Sequence, residues 1–363
     1  MIIYSIVPRL PPAIDGVGDY ALNLARQLRQ DFHLETHFIV SDPARSGAPH
    51  LQGCPVSQVT VQSSNQLHSL LLSDGASVVT TVLLHYVGYG YAKRGCPLWL
   101  VDGLQRWRSE DNNCKLVTMF HEIYAFGPPW TSSFWLSPVQ RVLAARLVKM
   151  SNGCITSKTL YAKIIRKLSD GQQNQISTLP VFSNVGEVDQ VPSLAKRSPR
   201  LVIFGGRQSR FRVYRHSLQQ LKGVCQFLRI KEILDIGPPI DQALSLINGV
   251  PIMRMGCLST SAIQEVLQDS IVGFFDYPTD FLAKSTIFAA YCSYGLLPVS
   301  ANALTSQAED GIEAGKHYWT LEHRADDWDL DREGQAIANH AHAWYQTHTL
   351  SIQAGIFASH LTP

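Results

Sequence analysis

The chain has no paired cysteines. Its seven (Cys54, Cys96, Cys114, Cys154, Cys225, Cys257 and Cys292) are odd in number, widely spaced and form no CxxC. That excludes a disulfide framework and a zinc finger as organising devices and points to a reducing compartment. No run of 18 apolar residues occurs, so no membrane-spanning helix is expected. The apolar start Met1–Val7 lacks a basic leader and is closed by Pro8, Pro11 and Pro12 before a signal-peptide core can form. Charge is sparse: Asp, Glu, Lys and Arg make up 17% of the residues, the formal net charge is +2, and there is no basic tail. A nucleic-acid partner is therefore not expected. No set of carboxylates and histidines has metal-ligand spacing, so no structural or catalytic metal is expected. Internal repeats and low-complexity segments are missing too. The expected location is the cytoplasm, with peripheral attachment to the inner face of the membrane left open.

What is present is a soluble-protein composition, 45% hydrophobic over 363 residues, too long for one ordinary core and suited to two domains of roughly 150 to 200 residues. Strand and helix patterns alternate. Ile2–Val7, His37–Val40, Ser77–Leu84, Leu116–Phe120 and Gly153–Thr156 read as strands, with helices over Tyr20–Arg29, Val139–Val148 and Leu160–Lys167. Between about Val185 and Arg200 the composition turns to Gly, Pro, Ser and charged residues, as in a linker. A second series follows, with strands Leu201–Gly205, Glu232–Ile236, Pro251–Met255 and Ser270–Phe275. Its helices are His216–Leu228, Ile240–Ile247, Thr260–Gln268 and Ser285–Tyr294. The expected fold class is α/β, with doubly wound domains over residues 1–185 and 200–335 facing a central cleft. A helical tail, 336–363, packs back on the first domain.

Asp15-Gly16-Val17-Gly18-Asp19-Tyr20-Ala21 holds G-x-G-x-x-A just before a helix. A dinucleotide fingerprint has its first glycine almost directly after the strand. Here eight residues, three of them proline, separate Val7 from Gly16. The loop suits instead a helix N-terminus whose backbone N–H groups face a phosphate or sugar, or an ordinary capped turn. His121 ends the strand Val117–Phe120, where α/β enzymes present functional groups, and Glu122 can orient it; read alone, it is as readily a structural core residue. His85 stands similarly before Tyr86-Val87-Gly88-Tyr89-Gly90-Tyr91, an aromatic loop suited to sugar stacking or to packing. Lys93 and Arg94 follow it and can meet an anionic substrate or face solvent.

Two segments speak for a phosphate. Leu201–Phe204 ends in Gly205-Gly206-Arg207, where the chain can approach a ligand closely, and Arg210, Arg212 and Arg215 follow, guanidinium forks that match phosphate oxygens. Asp276-Tyr277-Pro278 leads to Lys284-Ser285-Thr286 at the start of an apolar helix, and Gly295-Leu296-Leu297-Pro298-Val299 closes into a strand. A helix start after a strand's C-terminal end is a usual phosphate site, while Ser285 alone is also an ordinary N-cap. Lys222, in the next helix, is a weaker cationic candidate.

These residues, in this order, resemble retaining glycosyltransferases of the GT-B fold, in particular the family-4-like group. The Gly16-Val17-Gly18 loop, His121-Glu122, Phe204-Gly205-Gly206-Arg207 and Gly295–Val299 carry the resemblance over most of the chain. His85–Pro97 and Lys284–Val299 are similar to a cyanobacterial branch of exopolysaccharide, including heterocyst envelope polysaccharide, glycosyltransferases. The resemblance implies a nucleotide-sugar donor held mainly by the C-terminal domain and an acceptor held mainly by the N-terminal one. By position, His121 and Arg207 would be catalytic, the first on the transferred sugar and the second on the diphosphate. Gly16, Gly18, Gly205, Gly206, Arg210, Arg212, Lys284, Ser285 and Thr286 would bind the donor, with Gly256, Cys257 and Leu258 near the base. His85, Tyr86, Tyr89 and Glu122 would meet the acceptor. The family's two glutamates, eight positions apart, align with Leu282 and Ala290, so the carboxylate expected on the ribose is missing; Ser285 with Thr286 would carry more of the donor recognition, and Asp280 would replace some of the sugar contacts.

The function implied is transfer of a sugar, UDP-glucose being the favoured donor, to a glycan or lipid-linked acceptor in polysaccharide synthesis, without metal or other cofactor. The missing glutamates motivate an alternative, a catalytically degenerate protein that binds sugar nucleotide. The Gly16 loop alone motivates a third, a nicotinamide-dependent oxidoreductase.

Overall fold

Runs of β-branched and aliphatic residues become buried strands, and the stretches between them place apolar residues on one helical face. The computed structural model describes all residues except 73–79, 112, 126, 174, 242–243, 303–309, 326 and 363. Contacts divide the chain into two units, Met1–Pro180 with Leu350–Pro363, and Val181–Thr349.

The strands of the first unit are β1 (Ile2–Val7), β2 (Glu35–Val40), β3 (His50–Leu51), β4 (Cys54–Gln58), β5 (Thr81–Tyr86), β6 (Lys115–Phe120), β7 (Gly153–Thr156) and β8 (Ile176–Thr178). They form one sheet in the order β3-β4-β2-β1-β5-β6-β7-β8, parallel except for the hairpin β3–β4. The order reverses between β1 and β5, the signature of a doubly wound sheet. Its helices are α1 (Gly16–Phe32), α2 (Ser64–Leu72), α3 (Gly88–Tyr91), α4 (Leu98–Glu110), α5 (Ser132–Met150) and α6 (Thr159–Leu168). The strand expected at Ser77–Leu84 runs from Thr81 and ends two residues later, at Tyr86; residues 77–79 are outside the described ones. That shift brings His85 and Tyr86 inside β5 rather than into the loop after it.

In the second unit, β9 (Ser198–Phe204), β10 (Glu232–Ile236), β11 (Leu246–Ile247), β12 (Val250–Gly256), β13 (Ser270–Phe275) and β14 (Leu297–Ser300) are ordered β11-β12-β10-β9-β13-β14. All pairs are parallel except β11–β12, and the order reverses between β9 and β13. The helices are α7 (Arg207–His216), α8 (Leu218–Phe227), α9 (Thr260–Asp269), α10 (Thr286–Ser293) and α11 (Gln335–Gln346). A last helix, α12 (Leu350–Leu361), belongs to the first unit, beside α1.

One helix expectation is corrected. Ile240–Ile247 is not a helix: residues 242–243 lie outside the described ones, and Leu246–Ile247 pairs with Val250–Pro251. Asn248 and Gly249, at φ 49° and 81°, make the Asn-Gly turn that hairpins favour. The helix expected at His216–Leu228 is α8, Leu218–Phe227, and the arginine segment before it, for which no helix was expected, forms α7, which meets α8 at Ser217.

The stretch expected as a linker is without regular structure up to β9, apart from a short 3-10 turn at Leu194–Lys196, yet it is tied down at its end. Arg197 donates to the carbonyls of Pro192, Ser270 and Tyr294 at 2.8 to 3.2 Å. No helix among the described residues is long and apolar enough to cross a membrane.

One contact sets the height of α10 above the second sheet. The Tyr291 ring lies flat against Gly273 of β13, where a side chain's first carbon would collide with the ring. The Tyr291 hydroxyl accepts from Phe204 N–H (3.2 Å) and lies 3.1 Å from the Val202 carbonyl. Gly273→Ala should therefore push α10 off the sheet and destabilise the protein by about 1–3 kcal/mol, the cost of overpacking a filled core. Urea unfolding of the variant measures it, and an unchanged midpoint would contradict the packing argument.

Candidate functional site

At the C-terminal ends of the second sheet the backbones nearly touch. Gly237, directly after β10, has φ +146°, and Gly205, directly after β9, has φ +135°, backbone regions that residues with side chains avoid. The space a Gly237 side chain would need is occupied by the Gly205 carbonyl oxygen, and a side chain at Gly205 would meet Ile287 at the start of α10. Gly205 N–H donates to the Ile236 carbonyl (3.1 Å), and Gly237 N–H to the Gly256 carbonyl (2.9 Å). The ends of β9, β10 and β12 thus form one low ledge. Gly237 was not singled out from the sequence; its signal was a glycine directly after a strand, in Asp235-Ile236-Gly237-Pro238.

Helix α7 starts from this ledge. Its N-cap is Gly206, which has no side chain to cap the first turn, and Arg207 stands exposed as the first helical residue. The unclaimed N–H groups and partial positive charge of such an end favour an anion. The other arginines divide. Arg210 is only 2% exposed: its Nε donates to Asp235 Oδ1 at 2.6 Å and its Nη1 to the Pro238 carbonyl. This corrects the expectation of a ligand-facing Arg210, because its charge is matched inside the fold. Arg212 lies 5.9 Å over the Tyr277 ring, with a buried Nε that has no hydrogen-bond partner among the described residues. Arg215 lies against Phe211.

Across the strand-order reversal, Asp276 follows β13. Its Oδ2 accepts from Ser217 (2.9 Å) and its Oδ1 from the Asn302 amide (3.1 Å), which also donates to the Tyr277 carbonyl (2.9 Å). Ser285 caps α10, accepting from Phe288 N–H at 3.1 Å, so its oxygen is engaged and the residue is buried. Thr286, the first residue of α10, is partly exposed. Lys284 Nζ lies 5.7 Å from the Phe281 ring. A small crevice lined by Phe204, Ser209, Arg210, Asp276, Tyr277 and Ser285 joins the two strand ends. Gly205, Gly206, Arg207 and Ser285 are therefore brought together, while Gly256, exposed Cys257 and Leu258 lie two strands away along the ledge.

In the first unit the glycine loop differs from its expected use. Asp15 caps α1, accepting from Val17 N–H (3.0 Å) and Gly18 N–H (2.9 Å). Its carboxylate already fills the anion position, with Arg9 at 3.5 Å. Gly18 is buried against the Arg9 carbonyl, which leaves no room for a side chain, whereas Gly16 faces open space. A Gly18 that touches a donor is thus corrected to one that closes the loop on itself.

His121 directly follows β6, mostly buried, with Nε2 3.1 Å from His85 Nδ1. Tyr20 sits edge-on to both rings and donates to Gln353 Oε1 (2.9 Å). His85 is 0% exposed, its Nε2 lacks a hydrogen-bond partner among the described residues, and burial lowers its pKa to about 3, so it is neutral and cannot touch an acceptor. Tyr86 is equally buried, edge-on to Phe120. Both acceptor assignments are thereby corrected. Tyr89 and Glu122 are exposed, and Tyr89 accepts from the Gln140 amide (3.3 Å). The sequence reading missed the Tyr20–Gln353 contact because 333 positions separate the two residues.

The buried ion pair and the loop carboxylates each lead to a measurement. Asp235→Ala should strand the Arg210 guanidinium and cost about 3–5 kcal/mol in denaturant unfolding, whereas Arg210→Met with Asp235→Leu should cost less; equal losses would refute the pairing. Asp19 has its pKa raised from 3.8 to about 6 by burial and by Asp15, so the folded state binds its proton more tightly than the unfolded state. Its stabilising contribution is complete below about pH 4 and is lost as the pH rises through about 6. Asp19→Asn should gain in Tm over the wild type across that interval and hold the gain above it. An increment independent of pH would contradict the shift.

No known family's sequence profile matches the chain, and no curated protein matches it in sequence. Its fold does have counterparts. An alpha-glucosyltransferase in complex with UDP superposes with a TM-score of 0.60 at 8% identity, over 99% of both chains. S. aureus MnaA with UDP gives 0.58 at 11% identity, over 99% of this chain and 95% of that one. WaaG, a glycosyltransferase involved in lipopolysaccharide biosynthesis, gives 0.51 at 11% identity over 99% of both. With its two parallel-dominated sheets and flanking helices, the chain has the GT-B fold.

Proposed function

We propose that the chain is a glycosyltransferase, a hexosyltransferase that moves glucose from UDP-glucose to a glycan or lipid-linked acceptor in exopolysaccharide synthesis, with retention of configuration. The observation that carries this reading is the uncapped start of α7 beside Gly205, Gly206 and exposed Arg207, at the strand-order reversal of a parallel sheet. Such a place holds a phosphate through backbone N–H groups, and a guanidinium adds a charge-assisted fork. UDP is favoured because structures of the same fold hold UDP.

In this reading Gly205, Gly206 and the first turn of α7 bind the diphosphate and Arg207 stabilises the charge on the leaving group as the sugar departs. Thr286 and Lys284 add to the same anion, and the ledge at Gly256–Leu258 takes the base. His121, held by His85, contacts the transferred sugar, and Tyr89 and Glu122 meet the acceptor. The diphosphate charge is met by protein donors without a metal ion.

A second reading, sugar-nucleotide binding without turnover, is favoured by one observation. Leu282 and Ala290, aligned with the family's glutamates, are buried, at 1% and 0% exposure, so no carboxylate stands at either position.

Isothermal titration with UDP, GDP and ADP tests the donor. UDP should bind tightest, and Arg207→Ala should weaken it about 10- to 100-fold. Binding of none of the three would overturn the proposal. Donor hydrolysis by the wild type, lost in His121→Ala with UDP affinity kept, supports the enzyme; UDP binding without any hydrolysis or transfer selects the second reading.

A further inference from the structure

The first unit carries a surface that the donor reading does not use. From Thr131 to Ser169 the chain has Arg141, Arg146, Lys149, Lys158, Lys163, Arg166 and Lys167 and not one Asp or Glu. Lys158 is buried, Arg146 pairs with Asp102 and Lys149 with Asp170. Arg141, Lys163, Arg166 and Lys167 are exposed and make no ion pair among the described residues.

The same surface is apolar as well as basic. Trp130, just before α5, is 85% exposed, Trp135 71% and Val142 60%, with Phe134 and Val139 also exposed. Trp135, Val139 and Val142 recur at helical spacing, so α5 turns a continuous apolar stripe to solvent while Leu143, Leu147 and Val148 face the core. Helix α6 packs beside it. A groove next to the stripe has Leu160, Ile164 and Leu168 along it and Arg141 and Lys167 on its walls.

We propose that this face of α5 and α6 docks on an anionic lipid bilayer, with α5 lying in the plane of the interface. Indole rings prefer the boundary between headgroup and acyl chain, and Val139 and Val142 reach into the apolar side. The four free cations meet lipid phosphates, and their long apolar stems allow both contacts at once. Charge complementarity selects an acidic membrane over a neutral one. A nucleic acid would match the cations but leaves the stripe of tryptophan and valine without a role.

The test is co-sedimentation of the full chain with vesicles of phosphatidylcholine alone or mixed with phosphatidylglycerol. Binding should appear with phosphatidylglycerol, fall with added salt and leave a residual apolar component. Arg141→Glu with Lys163→Glu and Lys167→Glu should weaken low-salt binding by roughly tenfold or more. Trp130→Ala with Trp135→Ala should remove the residual binding and the blue shift of tryptophan fluorescence. All lie on exposed positions, and unchanged melting temperatures would show that the variants fold. No binding to phosphatidylglycerol vesicles, or binding unaltered in both variants, overturns the proposal. So does a dimer in sedimentation velocity that Trp135→Ala abolishes, or preferential binding of duplex DNA. UDP takes no part in this experiment, so its outcome is separate from that of the donor titration.

Discussion

The second unit is organised around a close approach of two backbones, in which the Gly205 carbonyl occupies the space that a side chain on Gly237 would fill. Both residues adopt backbone angles that only glycine reaches cheaply. The approach lets α7 leave β9 beside the end of β10, which puts the Arg210 side chain on Asp235 and the Pro238 carbonyl. A matched charge inside anchors the helix, and its uncapped first turn stays outside with Arg207. Tyr291 performs the corresponding task for α10, resting on Gly273 and bonding to the β9 backbone. The two helix starts that flank the strand-order reversal are thus fixed by packing beneath them.

The first unit uses its polar groups differently. Its glycine loop is closed electrostatically by Asp15, which takes two N–H groups of α1, and by the burial of Gly18 against Arg9. An anion would have to compete with a carboxylate already in place, so this loop is poorly suited to a phosphate. Beside it, a neutral, fully buried His85 holds His121 at the surface of the core. Burial supplies the reason: charging the His85 imidazole would cost its solvation, with no partner at Nε2 among the described residues.

Much of the architecture was legible in the sequence, because burial on both faces writes strands as continuous apolar runs. β1, β10, β13 and the core of β6 lie where the pattern puts them, and the glycine pair after β9 announced the ledge. Short strands and polar helices were less visible. β11 read as the end of a helix although the Asn-Gly turn after it was in view, and α2 and α4 had no reading, since each buries its face mainly against the other. Among site residues, Arg207 keeps its exposed place, whereas Arg210, His85 and Tyr86 are turned inward. Residue type and position after a strand say that a side chain is near the strand end; they do not say toward which side it points.

By itself, then, the sequence determined two α/β units, most of their long buried strands and the helix start at Ser285–Thr286, because hydrophobic periodicity and glycine placement are local properties. Tertiary structure decided which cations are free, which histidine is reachable and which glycine is a steric necessity. Those outcomes depend on what lies opposite: Asp235 is 25 positions from Arg210, and Gln353 is 333 from Tyr20. A charge is available or spent only through partners that folding brings across such distances.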